Sequence, residues 1–126
     1  MEVIDGKVLY VDIDNTLIFS PNETKDVTDI EAVEINHRVW YLHVHHIEFI
    51  KDCAARGINI IAWSGGGAVW TQTVVKKAGL EGVVAVCMAK PDWVLDDKPI
   101  DTWLGEGKRI YFDTTGKPVK QSGEEY

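Results

Sequence analysis

The chain has 126 residues, enough for one domain with a modest core, and 45% of them are apolar. Twenty acidic residues against 13 basic ones leave a formal charge of −7 and an isoelectric point near 5.0, which argues against a broad electrostatic grip on nucleic acid or anionic membrane. There is no run of about 18 uncharged apolar residues, and Glu2, Asp5 and Lys7 stand where a signal peptide would be apolar, so a cytoplasmic protein without membrane contact is expected. Cys53 and Cys87 fit no C-x-x-C spacing and read as two buried thiols.

In chain order, 7–12 (KVLYVD) reads as a buried strand. The stretch 18–40 has a turn signal at Pro21-Asn22 and alternation in VEINHRVW, which predicts a loop or small hairpin lying over the strand ends. Positions 42–56 carry apolar residues at three- and four-residue intervals with Gly57 just beyond, a helix with a glycine stop. A second buried strand follows at 58–63 (INIIAW), then three glycines and a helix over 68–78. Strand and helix alternation predicts a Rossmann-like α/β domain with a mostly parallel sheet flanked by helices. Further strands are expected at 83–87, 93–95 and 109–113, and the tail predicts a hairpin around Gly116 followed by a frayed end. Only residues 88–92 separate the first two of these, whereas a parallel crossover needs about a dozen residues or more, so one of the two must be short, irregular or reversed.

The chemistry gathers at the predicted strand ends. Asp12-x-Asp14-x-Thr16 ends the first strand, Ser64-Gly65-Gly66 the second, Lys90 follows the third, and Asp96-Asp97 the fourth. In a parallel sheet these ends share one edge, where ligands bind. Four carboxylates so close repel one another unless a cation neutralises them, and a hard divalent ion such as Mg²⁺ does so with oxygen ligands while also holding a substrate phosphate. One carboxylate then can act as a nucleophile and another as general acid and base; Ser64 and the following glycine amides can hold phosphoryl oxygens. His43, His45 and His46 lack a further ligand nearby and read as part of a helix start. The five tryptophans read as packing; Trp63 is placed to wall the site, and base stacking by Trp40 or Trp70 is the lesser reading because stacking platforms usually accompany a basic groove.

Asp12-Ile13-Asp14-Asn15-Thr16 after an apolar strand, Ser64 after a second, a lysine, and Asp96-Asp97 after a later one resemble the four ordered motifs of the haloacid dehalogenase superfamily, over roughly residues 7–98. The resemblance implies a single small domain, 1–126, with minimal or no cap. It implies a Mg²⁺-dependent phosphomonoesterase in which Asp12 is the nucleophile and a metal ligand, and Asp14 the acid and base with its carbonyl on the metal. Thr16 would steady the turn, Ser64 and Gly65 would bind the phosphoryl group, Asp97 would ligate the metal directly and Asp96 more remotely. The lysine would be Lys90, with Lys76 and Lys77 as alternatives. An open site suits a phosphorylated small molecule, a phosphoprotein or a nucleic-acid end. Two rivals stand beside this reading, a receiver-type phosphate-accepting domain and a non-catalytic module of the same fold.

Overall fold

The computed structural model describes residues 7–24, 27, 29–99, 110–112 and 118–120. Two short sheets and two helices pack around one core, with a separate two-stranded ladder beyond them. The first sheet is parallel. It is formed by β1 (Val8–Asp12), β5 (Asn59–Ser64) and β6 (Val86–Ala89) in the order β1-β5-β6, so β5 is central. The register pairs Val11 with Ala62 and Asp12 with Trp63, and on the other side Ser64 with Ala89, which brings the three carboxyl ends level.

Alternation along these strands separates two faces. Val11, Ile60 and Ala62 point into the core, where they meet Ile47, Ile50 and Cys53 of helix α1 (Val44–Ala55) and Val74 and Val75 of helix α2 (Ala68–Lys77). The opposite face carries Val8, Tyr10 and Val86, each about half exposed, with Tyr10 packed on Trp63 at 4.5 Å between ring centroids. Trp63 therefore belongs to the outer sheet face, where it is the cross-strand partner of Asp12.

The stretch after β1 holds more order than a loop. β2 (Ile18–Phe19), β3 (Ile30–Ile35) and β4 (Arg38–His43) form an antiparallel sheet in the order β2-β4-β3, with a 3₁₀ turn at Pro21–Glu23. The expected hairpin is the β3–β4 pair. Its two-residue turn, Asn36-His37, has positive φ at both positions (52° and 64°), the primed geometry that matches strand twist. Leu42 and Ile35 anchor this sheet in the core. β4 runs without a break into α1, so the helix begins at Val44 instead of position 42. His43 caps it: its Nδ1 accepts the backbone N–H of His46 at 3.2 Å, and the two imidazoles stack at 3.4 Å.

Two further boundaries differ from expectation. β6 starts three residues late because Val83 and Val84 are held in turns, each donating its N–H to the Leu80 carbonyl, with Leu80 fully buried beneath them. The strand expected at 93–95 does not form. Residues 90–92 span at most roughly 10 Å, too little to return from the end of β6 to the start of a parallel neighbour. Trp93 (91% exposed) and Leu95 (103%) consequently stand in solvent. Past residue 99, β7 (Ile110–Phe112) and β8 (Pro118–Lys120) pair antiparallel, as a hairpin about Gly116 requires; Gly116 and the tail end 121–126 lie outside the described residues. No helix among the described residues is long and apolar enough to cross a membrane.

Candidate active site at the strand ends

The turn after β1 sets the geometry. Leu17 and Ile18 both donate their N–H to the Ile13 carbonyl (2.9 and 3.2 Å), closing one tight helical turn, and Asn15 takes the left-handed conformation (φ 61°) that asparagine tolerates better than most residues. Ile13, Leu17 and Ile18 are buried beneath it, so the polar members of the motif are turned outward. Thr16 Oγ1 donates to Asp12 Oδ2 at 3.0 Å, steadying that carboxylate. The whole turn is tied to α1 through the hydrogen bond between His46 Nδ1 and the Thr16 carbonyl. Because a carbonyl only accepts, Nδ1 carries the proton. Burial, with the neighbouring His43, lowers the His46 pKa to about 4, and burial likewise lowers that of His43.

Three strand ends meet around the two carboxylates. Lys90, directly after β6, places its Nζ 2.8 Å from Asp12 Oδ1, while its backbone N–H donates to the Ser64 carbonyl at 2.9 Å. Lys76 and Lys77 sit exposed in the last turn of α2 instead. Ser64 is fully buried; its hydroxyl donates to Asp14 Oδ2 at 2.8 Å and accepts the Gly66 N–H at 2.9 Å. As arranged, Ser64 orients Asp14, and Gly65 and Gly66 are exposed while Gly67 is partly buried. Gly66 has little alternative: a Cβ there would lie 3.0 Å from the Trp70 ring and 3.3 Å from Ser64 Oγ. Gly67 opens α2 with φ 103°, which favours glycine.

Trp70 is the residue that the sequence motifs do not contain. It lies in the first turn of α2, and its indole Nε1–H donates to Asp14 Oδ1 at 3.0 Å. Asp14 thus takes two donors, one from a buried side chain and one from a side chain near solvent. Trp70 in turn packs on Trp40 of β4 at 5.2 Å, and the Arg38 guanidinium lies 5.3 Å above the Trp40 ring. The signal available in the sequence was position: an aromatic residue three places past a glycine turn that follows a buried strand.

Asp96 and Asp97 are not brought to this cluster. They are exposed, and the backbone N–H of Lys98 donates to Asp96 Oδ1 at 3.0 Å, a local turn that, together with Asp97, draws the Asp96 carboxyl below the usual range. Asp12 and Asp14 offer the hard oxygen donors that Mg²⁺ prefers, yet all four of their carboxylate oxygens already face protein donors. Among the described residues no third His, Cys, Asp or Glu side chain joins Asp12 and Asp14 in a group that could hold a metal ion. A surface cavity of about 450 Å³, lined in part by Lys51, Gly57 and Asn59, lies at the opposite end of β5. Comparison of the chain with family models, with curated proteins and with solved structures finds no match in any of the three.

Proposed function

We propose that the chain is a phosphomonoesterase of the capless haloacid dehalogenase type, acting through an aspartyl-phosphate on Asp12. The observation that carries this reading is the convergence of Asp12, Asp14, Ser64 and Lys90 from three separate strands on one edge, with Lys90 Nζ 2.8 Å from Asp12. Packing does not call for it, since these groups would be well hydrated apart from one another.

In the first half-reaction an Asp12 oxygen bonds to phosphorus as the ester P–O bond breaks, and the departing oxygen takes a proton from Asp14. The Lys90 ammonium offsets charge on Asp12 and on the phosphoryl oxygens that approach it. In the second, ionised Asp14 takes a proton from water, whose oxygen attacks phosphorus, breaks the acyl-phosphate bond and restores Asp12. The Ser64 hydroxyl can rotate to accept from Asp14 when that residue is protonated, and to donate when it is not. Mg²⁺ belongs to the proposal as the ion such chemistry calls on; with Asp97 apart from Asp12, no step here is routed through it.

Hydrolysis of an aryl phosphate is measured with Mg²⁺, with chelator, and with Asp12→Asn. The expected result is Mg²⁺-stimulated hydrolysis that falls roughly a thousandfold or more in Asp12→Asn while the circular dichroism spectrum is unchanged. Hydrolysis surviving in that variant overturns the nucleophile assignment. A stable acyl-phosphate without turnover would identify a receiver-type domain, and phosphate binding without reaction a non-catalytic module.

A further inference from the structure

We propose that the indole wall beside Asp14 is a leaving-group subsite for a nucleobase, so that the substrate is a mononucleotide. This rests on the phosphomonoesterase reading for the position of the phosphate. If Asp14 protonates the departing oxygen, the alcohol part of the substrate leaves past Asp14. Its inner side is closed by Ser64, which is fully buried, while its outer side is Trp70, whose N–H it accepts at 3.0 Å. The leaving group therefore emerges along Trp70.

From there the wall is continuous. Trp40 lies 5.2 Å from Trp70, and Arg38 covers Trp40 at 5.3 Å. Trp70 and Trp40 are only half buried, and Arg38 is exposed near the hairpin turn. A core needs neither two indoles at its rim nor a guanidinium above one of them. The position of Arg38 also shows that the outer face of Trp40 admits a planar group from the solvent side. Arg38 is exposed and can swing outward by the thickness of a ring, so that a nucleobase stacks on the Trp40 indole beneath the guanidinium, a contact that tolerates any base and gives an aliphatic phosphate nothing.

A single nucleotide fits better than a polynucleotide. The net charge is −7, and Glu31 and Glu34 are exposed on the same hairpin, which opposes a phosphodiester chain. The reaction consumes one water and releases a nucleoside and inorganic phosphate.

The test is calorimetric binding to the Asp12→Asn protein of adenosine 5′-monophosphate, glycerol phosphate and a short 5′-phosphorylated oligonucleotide, beside hydrolysis of the same compounds by the unmodified protein. The mononucleotide is expected to bind about tenfold or more tightly than glycerol phosphate. Trp40→Leu and Arg38→Ala, each added to Asp12→Asn, are expected to bring that ratio toward one. If Trp40→Leu does not fold, the exposed Arg38→Ala decides. Equal binding of the two monoesters, a ratio unmoved in the folded variants, or tighter binding of the oligonucleotide overturns the proposal. Hydrolysis of both monoesters at equal efficiency and affinity would sink the subsite and leave the phosphatase standing. Mononucleotide preference without any hydrolysis would leave the subsite and sink the phosphatase.

Discussion

The ends of β1, β5 and β6 and the segment Lys90–Asp97 carry similar residues, apolar runs followed by charge, and meet opposite fates. At β1 and β5 the runs VLYV and NIIAW become paired strands, and Asp12, Asp14 and Ser64 inherit fixed positions from them. The run WVL before Asp96-Asp97 is as apolar, yet it stands exposed without strand pairing among the described residues. The difference is connection length. β1 and β5 are joined by β2, the β3–β4 hairpin and α1, and β5 and β6 by α2, each long enough to return the chain to the start of the next parallel strand. Lys90 needs no such return, because it follows β6 directly and reaches Asp12 from where the strand stops.

The strongest way to test this contrast is at Lys90. If its place at the end of β6 gives it a role that Lys76 and Lys77 cannot have, Lys90→Gln should lower kcat on an aryl phosphate by about 10²–10³-fold, the usual loss for one charge-stabilising donor. Lys76→Gln should leave the rate within about twofold, since that side chain is exposed on α2. A Lys90→Gln enzyme with an unaltered rate would reduce the Lys90–Asp12 pair to a surface ion pair.

A second effect comes from the other side of β1. The turn that presents Asp14 and Thr16 is fastened by neutral His46, and His43 holds α1 through an Nδ1 lone pair that protonation would remove. The unfolded chain takes up a proton near pH 6.5, while the folded one resists until His46 reaches about 4, so the unfolded state binds more protons between these values. Stability should therefore be lost as pH falls through that window, by up to about 1.4 kcal/mol per pH unit from this residue. Urea denaturation at pH 7, 6 and 5 reads the slope, above most of the carboxylate range. His46→Gln, which keeps an N–H donor, should flatten it; an equal slope in that variant would place the titrating group elsewhere.

Much of the arrangement was legible in the sequence where local signals agreed. β1, α1, β5 and α2 lie within two residues of their expected bounds because apolar periodicity, glycine stops and strand length point the same way there. The place of Lys90 was legible as the lysine directly after a predicted strand, although its partner Asp12 is 78 positions away and reached only by tertiary pairing. Three things were not. β2 joins the expected β3–β4 hairpin only through tertiary pairing with β4, which alternation alone does not reveal. Trp70 joins Asp14 across 56 positions, a pairing no linear motif encodes. The strand expected at 93–95 satisfied composition and failed on reach.

That failure leads to the smallest expected effect and the most direct test of the comparison. Leu17, beside the nucleophile turn, is 1% exposed, and Leu17→Ala should cost about 2–5 kcal/mol through lost burial and a cavity. Leu95 is 103% exposed, so Leu95→Ala removes no contact and should shift stability by less than about 0.5 kcal/mol. Both are read from urea midpoints at constant slope. A Leu95→Ala loss above about 1.5 kcal/mol would mean that Trp93-Val94-Leu95 buries itself on the domain in solution. Asp96 and Asp97 would then move with it, and β1, which has one strand neighbour among the described residues, offers the free edge nearest Asp12. A near-zero loss leaves Asp12 and Asp14 as the only motif carboxylates on the sheet edge, and assigns the compensation of their charge to Lys90.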